Sequence, residues 1–275
     1  PGGHMAGSLA YEATTPQEAA AYVEKIYEEK TDLIKLMITG GVMDAEVVGE
    51  PGVLRMMPEL VKAACDRAHS LGMTVAAHVE SPQGVRVALE NGVDSIEHGA
   101  KPDEETIRLF KEKNAFQIST ISPALPYALF DRSISHATYE QQENGKVVFD
   151  GIVSLAKACL ETGVPVGLGT DTGCPYITHY DMWRELCYFV KYCGVTPAFA
   201  LYSATLLNAK LAKIDSFTGS VEKGKCADII VCAKNPLEDL SALRNLDMVI
   251  KEGYIIENPR PKKMPECEKE LDKFL

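Results

Sequence analysis

A repeated unit of helix, stop residue and strand constrains the fold of this chain more than any other feature. In residues 55–79, apolar residues recur at helical spacing up to Leu71, Gly72 follows, and the run "MTVAAHV" comes next. A glycine at that point suits the left-handed backbone that ends many helices. The same order recurs in residues 15–41, 84–99, 103–122 and 151–171. Alternation of helices and strands predicts a parallel sheet covered by helices.

The repeat predicts strands near 33–38, 74–79, 94–98, 115–121 and 165–171. An open doubly wound sheet and an eight-stranded barrel are the two usual arrangements of such units. The pattern changes after residue 213, where "TGSVEKGKCADIIVCAKNPLEDL" contains short apolar runs and turn residues. We therefore predict three parts: an α/β domain over 1–213, a small β-rich segment over 214–262, and a charged peripheral tail over 263–275.

Charge and cysteine content narrow the class of protein. The net charge of −11 argues against binding to nucleic acid or an anionic membrane, because no basic surplus is available to neutralise phosphates. No apolar run approaches the roughly 20 residues of a membrane-spanning helix. The eight cysteines show no CxxC spacing, and we interpret most as reduced residues of a cytoplasmic protein, with a Cys187–Cys193 disulfide as the alternative. The expected partner is a small molecule or dipeptide, and a homo-oligomer is left open.

Four predicted strands carry a polar residue at or near the carboxyl end: Lys35, His78, His98 and Asp171. In parallel α/β folds, functional residues gather at the carboxyl ends of the strands. Their nitrogen and oxygen atoms are ligands for zinc or a similar cation. Each residue also has an ordinary structural explanation, such as a hydrogen-bonded core histidine, a lysine that reaches water or an aspartate in a turn. Their joint occurrence in successive repeat units favours a metal site.

Strand alternation supports a shared inner face for two of these residues. His78 would share a face with Ala76, and Asp171 would share one with Gly169, which leaves space in the interior. Lys35 lies inside the apolar run "IKLMITGG", an unusual place for a cation, and we expect it to be buried. Burial favours the neutral form of an amine.

Four short motifs, "IKLMITGG", "VAAHVES", "GVDSIEHG" and "GLGTDTG", occur in an order that resembles the amidohydrolase superfamily. The resemblance is to the prolidase-like, imidazolonepropionase-related branch, which includes metal-dependent Xaa-Pro and Xaa-Arg/Lys dipeptidases. The segment that begins "TGSVEKGKCADII" is similar to the C-terminal β-sandwich segment of that superfamily. The resemblance implies an α/β fold, the C-terminal part of a TIM-type (β/α)8 barrel (strands 4–8) with a small β-sandwich appendage.

The resemblance also implies a site built on a modified lysine. In binuclear members, the lysine of strand four is carboxylated to a carbamate that bridges two zinc ions, and Lys35 matches that position. His78 and His98 would bind the second zinc ion, while Asp171 would bind the first and act as general acid–base. The implied activity is cleavage of amide (C–N) bonds, in dipeptides or N-acyl amino acids, by a metal-activated bridging hydroxide.

Three further residues are candidates for substrate binding. His179 would lie in the loop after strand eight, where substrate contacts are usual, and Tyr127 would follow strand seven. For Tyr127, simple loop packing is the alternative. His4 belongs to "PGGHM", which we interpret as a native glycine turn in the loop after strand three rather than a cloning scar.

The sequence departs from the superfamily pattern in one respect. The first barrel strand of the superfamily carries a His-x-His pair, and none of the six histidines has that spacing. Strands one to three are not found either, so we expect the chain to be the C-terminal part of a longer protein and to be inactive alone. Two other functions stay open: a mononuclear hydrolase or deaminase of a cyclic amide or amidine, in which Lys35 stays unmodified, and a non-enzymatic subunit.

Overall fold

The computed structural model describes His4, Gly7 and residues 10–275, which fall into two compact units. The first unit contains the described residues up to Ser119 together with Tyr127–Val166. The second contains Thr120–Pro126 and Gly167–Leu275. Apart from His4, the residues of "PGGHM" lie outside the described residues. That this turn is native therefore stays a prediction.

A five-stranded sheet forms where the repeat predicts it. Its strands lie in chain order and are β1 Leu33–Met37, β2 Thr74–Val79, β3 Ser95–His98, β4 Phe116–Ser119 and β5 Val166–Leu168. The pairs β1–β2, β2–β3 and β3–β4 are parallel. A second, antiparallel sheet consists of β6 Ile229–Val231, β7 Met248–Lys251 and β8 Tyr254–Glu257. The predicted α/β class with a separate β-rich segment is confirmed.

Helices separate the strands. They are α1 Pro16–Glu28, α2 Pro58–Ser70, α3 Pro82–Glu90, α4 Glu104–Lys113, α5 Ile121–Leu129, α6 Arg132–Ser135, α7 Tyr139–Thr162, α8 Met182–Cys193, α9 Pro197–Tyr202, α10 Asn208–Leu211 and α11 Pro265–Leu271. A π-helical turn, Ser203–Leu207, joins α9 to α10, and 3-10 turns cover Leu240–Arg244 and Asp272–Phe274. No helix in the described part of the chain is both long and apolar enough to cross a membrane.

Local sequence signals account for the helix ends. Thr15 forms a capping box at the start of α1, in which its side chain accepts the Glu18 N–H and Glu18 reaches back to the cap. Asn114 and Gly163 adopt the left-handed conformation after α4 and α7, with φ of 52° and 78°. At each stop, the backbone N–H bonds back to carbonyls of the last helical turn, and the chain then leads into the next strand. The predicted stop residues are therefore confirmed.

The two faces of the first sheet differ in chemistry. Ile34, Val75 and Ala77 are buried on the face that packs against α2 and α3. Parallel pairing places Lys35 and Ala76 opposite one another on the other face, and His78, two residues after Ala76, lies on that face as well. That face positions the candidate site.

In the second unit, the C-terminal residues pack on α8. Arg184 is buried, and its guanidinium Nη1 lies 2.6 Å from Asp272 Oδ1. Leu271 on α11 is buried as well. The limits of the three predicted parts, 1–213, 214–262 and 263–275, stay a prediction.

All eight cysteines are free thiols within the described residues. Cys65 and Cys159 are buried in α2 and α7, as their helical apolar pattern predicts. Cys187 is half-buried, and it forms no disulfide with Cys193. The alternative of a disulfide between these two residues is therefore wrong for this structure.

Candidate metal centre

His78 and His98 meet at the carboxyl ends of β2 and β3. Their ring centroids lie 4.7 Å apart in an edge-to-face arrangement. Register alone would not bring them together, because His98 pairs with Val79 and strand alternation would point it to the opposite face from His78. The backbone of His98 is left-handed, with φ of 67°. Such a conformation costs a non-glycine residue about 1–3 kcal/mol, and here it turns the imidazole toward His78.

Glu80 completes a cluster with these two histidines. One ligand atom from each of His78, Glu80 and His98 lies within 4.8 Å of the others. His78 and His98 are 3% and 5% exposed, so the cluster is largely shielded from solvent. Glu80 is not among the site residues predicted from the sequence. The sequence signal that could have identified it is the spacing in "HVE", because residues two positions apart lie on the same face of an extended strand.

Both imidazoles of the cluster are neutral at pH 7. Burial, with smaller contributions from the nearby His4 and Lys35, lowers the pKa of His78 to about 3. Burial also holds the pKa of His98 well below its usual range, with contributions from His78, Lys35 and His4. A neutral imidazole has the lone pair that metal binding needs.

The tautomer of His78 follows from its backbone contact. His78 Nε2 lies 3.2 Å from the Gly40 carbonyl oxygen, which can only accept, so Nε2 carries the proton and donates. The lone pair is then on Nδ1. Metal-binding histidines usually donate their second ring N–H to a carbonyl or carboxylate in this way. The donor set and its hydrogen bonds fit a divalent metal ion.

Lys35 lies on the same face of the sheet as the cluster. It pairs with Ala76, and Met37, two residues further on, pairs with His78. Lys35 is thus in the middle of β1 rather than at its end. The expectation that Lys35 is buried is wrong: it is exposed, because β1 is an edge strand of the described sheet and pairs only with β2.

The structure brings His4 to the cluster. Its ring stacks on His78, with centroids 4.5 Å apart and planes inclined by 12°. His4 Nδ1 lies 2.6 Å from Asp44 Oδ1, and the same oxygen accepts the Gly41 N–H at 3.0 Å. Asp44 was not selected from the sequence. The role of His4 in substrate binding stays a prediction.

The loop between β1 and α2 holds several of these groups in place. The Val42 N–H donates to Glu80 Oε2 at 3.1 Å, and the Glu80 N–H donates to Thr39 Oγ1 at 3.0 Å. Further along, the fully buried Asn144 of α7 accepts the Gly49 N–H at 2.7 Å and donates to the Val47 carbonyl at 3.1 Å. The loop is therefore held near its start, at Val42, and in its middle, at Val47 and Gly49.

Asp171 and His179 belong to the second unit. β5 ends at Leu168, so Asp171 lies in the following loop with φ of 51°, and the predicted strand over 165–171 is too long. The alternation that paired Asp171 with Gly169 therefore does not apply. Both Asp171 and His179 are exposed, and their roles as metal ligand and substrate contact stay predictions.

Tyr127 lies on α5 and packs against α7. A Cβ atom built on Gly145 would lie 2.5 Å from the Cβ of Tyr127, so the two backbones approach closely there. Loop and helix packing explains this contact without a ligand. A role of Tyr127 in substrate binding stays a prediction.

Known proteins are similar to this chain in sequence and in fold. A model described as the amidohydrolase family matches residues 2–256. A protein provisionally described as a prolidase, from Bifidobacterium longum, superimposes with a TM-score of 0.92 at 40% identity, covering 99% of this chain and 67% of that one. A Xaa-Pro dipeptidase with methionine bound in its active site gives a TM-score of 0.80 at 33% identity, covering 92% of this chain and 63% of that one.

Curated sequence relatives agree with this placement. The imidazolonepropionase of Symbiobacterium thermophilum is 26% identical over 214 residues, which are 77% of this chain and 45% of the relative. An uncharacterised protein of Mycobacterium tuberculosis, Rv2915c, is 28% identical over 198 residues, 71% of this chain and 51% of the relative. The chain spans about half the length of the curated relatives it matches.

Proposed function

This chain belongs to the amidohydrolase family, and from that premise we propose that the whole protein is a metal-dependent hydrolase of amide bonds in dipeptides or N-acyl amino acids. The observation that carries the proposal is the cluster of His78, Glu80 and His98, in which both imidazoles are buried and neutral and the three ligand atoms lie within 4.8 Å of one another. The similarity to a Xaa-Pro dipeptidase supports the substrate class.

Two zinc ions would occupy the intact site. His78 and His98 would hold the second ion and Asp171 the first, and a carbamate formed on Lys35 would bridge them. When bound, such ions lower the pKa of a water molecule and polarise a substrate carbonyl.

The side chains of this chain would then handle protons and substrate. The Asp171 carboxylate would accept a proton from the attacking water and pass it to the nitrogen of the leaving amine. Asp44 holds Nδ1 of His4, which leaves Nε2 as the atom that can contact the substrate. His179 and Tyr127 would make further substrate contacts.

A second candidate function comes from the imidazolonepropionase relatives. In that case the protein would be a mononuclear hydrolase or deaminase of a cyclic amide or amidine. Lys35 would then remain an unmodified amine, and each chain would hold one metal ion instead of two. Metal content per chain therefore separates the two candidates.

The test is an assay of the whole protein, purified with zinc and bicarbonate. Its substrates are Xaa-Pro dipeptides, Xaa-Arg dipeptides, N-acyl amino acids and cyclic amides. We expect turnover of a dipeptide or an N-acyl amino acid that chelators abolish and zinc restores. Turnover of cyclic amides alone, with one metal ion per chain, would favour the second candidate. Eight free thiols suit a reducing compartment, and we propose a cytoplasmic location.

A further inference from the structure

We propose that Glu80 is a metal ligand, and that His78, Glu80 and His98 together hold one divalent ion whether or not Lys35 is carboxylated. This inference rests on the metal dependence of the proposed function and adds a ligand that the resemblance does not supply. It divides the site into a position formed by this cluster alone and a second position that depends on the carbamate.

The three donors form a complete ligand set. Two histidines and one glutamate are a set that catalytic zinc sites use, with the fourth position left to water or substrate. Bonds of about 2.0–2.2 Å to a tetrahedral ion place neighbouring ligand atoms about 3.4 Å apart. The ligand atoms of the cluster already lie within 4.8 Å of one another, so small side-chain movements close the site.

Charge balance also favours Glu80. The imidazoles of His78 and His98 contribute no charge, and an unmodified Lys35 adds a positive charge to this face of the sheet. An anionic donor stabilises a divalent cation in such a shielded place. Glu80 supplies that charge from within the cluster before any carbamate forms.

Glu80 is held in place by its surroundings. Its N–H donates to Thr39 Oγ1 at 3.0 Å, and its Oε2 accepts the Val42 N–H at 3.1 Å. A Cβ atom on Gly52 would lie 2.4 Å from the Glu80 carbonyl oxygen, so the loop backbone packs directly on this residue. Metal-binding carboxylates are typically hydrogen-bonded in this manner, because such contacts orient them before the ion arrives.

The competing explanation is that Glu80 only anchors the loop through Val42. The two explanations differ in what happens to the metal when Lys35 is removed. If Glu80 is a ligand, Lys35→Ala protein keeps one ion, and that ion is lost when Glu80 is changed as well. If Glu80 only anchors the loop, its substitution leaves metal binding of Lys35→Ala protein unchanged.

The experiment measures metal per chain by elemental analysis and the visible spectrum of the Co²⁺ form, in the whole protein prepared without bicarbonate. We expect Lys35→Ala to hold about one ion per chain, and Lys35→Ala with Glu80→Gln to bind it about tenfold or more weakly. Glu97→Gln is the matched control, because Glu97 is a half-buried carboxylate next to His98 that bonds to Ser95 Oγ at 2.7 Å outside the cluster.

Two results would overturn the inference: Lys35→Ala protein that holds no metal, or equal affinity with and without Glu80. If Glu80→Gln fails to fold, Glu80→Asp retains the charge but withdraws the oxygens by one methylene, and unchanged affinity in that variant counts equally against the proposal. Metal analysis does not require the protein to turn over a substrate, so it tests Glu80 independently of the proposed activity. A failure of the amide hydrolase proposal would appear only in the substrate assay and is therefore distinguishable.

Discussion

The imidazole of His4 stacks on that of His78, with ring centroids 4.5 Å apart and planes inclined by 12°. His4 is anchored by Asp44 on the loop after β1, while His78 lies on β2 and belongs to the candidate metal cluster. The stacking therefore joins a loop residue that can face the substrate to a strand residue that can bind the metal. The position of His4 depends on Asp44, and this dependence can be tested separately from metal binding.

Asp44→Asn should lower kcat by about tenfold to a hundredfold without changing metal content, because the amide no longer accepts as strongly from His4 Nδ1 and the ring loses its fixed orientation. Steady-state kinetics and metal analysis of the whole protein check this. Glu46→Gln is the matched control in the same loop, since the Glu46 side chain is 85% exposed. Wild-type kcat in Asp44→Asn would show that the His4–Asp44 pair has no part in the reaction.

Lys35→Ala should abolish amide hydrolysis and lower the metal content from two ions per chain toward one, because the bridging carbamate cannot form. In wild-type protein incubated with ¹³C-bicarbonate, a carbamate carbon signal should appear in the NMR spectrum and should be absent from the variant. Full activity of Lys35→Ala would contradict the binuclear site.

Asn144→Ala should release the loop that carries Asp44. The substitution leaves the Gly49 N–H and the Val47 carbonyl without their side-chain partner, which costs about 0.5–1.5 kcal/mol per hydrogen bond, because both residues are exposed and water can replace the amide. Hydrogen exchange of residues 45–52 should accelerate, and kcat should fall while metal binding persists. Gln142→Ala on the same helix is the control, since it removes one bond to the Phe130 carbonyl and none to the loop. Equal exchange in both variants would speak against the loop anchor.

Glu185 in the second unit should make stability depend on pH. It is fully buried, and burial raises its pKa to about 7, although hydrogen bonds from Ser122 and Ile121 oppose the shift. The folded pKa lies above the unfolded value of 4.5, so the folded state holds the Glu185 proton more tightly than the unfolded state does. The stability that this proton contributes is complete below pH 4.5 and is lost as pH rises toward 7. The free energy of unfolding should fall by roughly 3 kcal/mol at most over this interval.

Urea unfolding at several pH values between 4.5 and 7.5 checks this linkage. Glu185→Gln should be less stable than wild type at low pH, because an amide accepts poorly from three donors, and its stability should change less across the interval. A variant with the same pH slope as wild type would show that Glu185 titrates at the same pH in the folded and unfolded states.

Much of the fold could be predicted because its signals are local. Asn114 and Gly163 mark helix ends in the sequence, and the strands that follow them begin within a few residues of the predicted positions. His78 could be placed by strand alternation alone. These features depend on neighbours along the chain, which the sequence contains directly.

The other features of the candidate site depend on backbone conformation and strand pairing, which strand alternation does not describe. His98 reaches His78 only through a left-handed backbone, and Asp171 lies beyond a strand that ends three residues earlier than its position suggested. Lys35 was expected to be buried, but exposure depends on which strands pair with β1. The spacing in "HVE" points to Glu80, but its place in the cluster becomes clear only from its position beside the histidines and from its hydrogen bond to the loop.

The central claim is that His78 and His98 bind a functional metal ion. Crystals of the whole protein, grown with zinc and measured at the zinc absorption edge, test it most directly. We expect an anomalous peak about 2.0–2.1 Å from one ring nitrogen of each histidine, with His78 bonded through Nδ1. Zinc-dependent hydrolysis with no anomalous peak at these two histidines would contradict it.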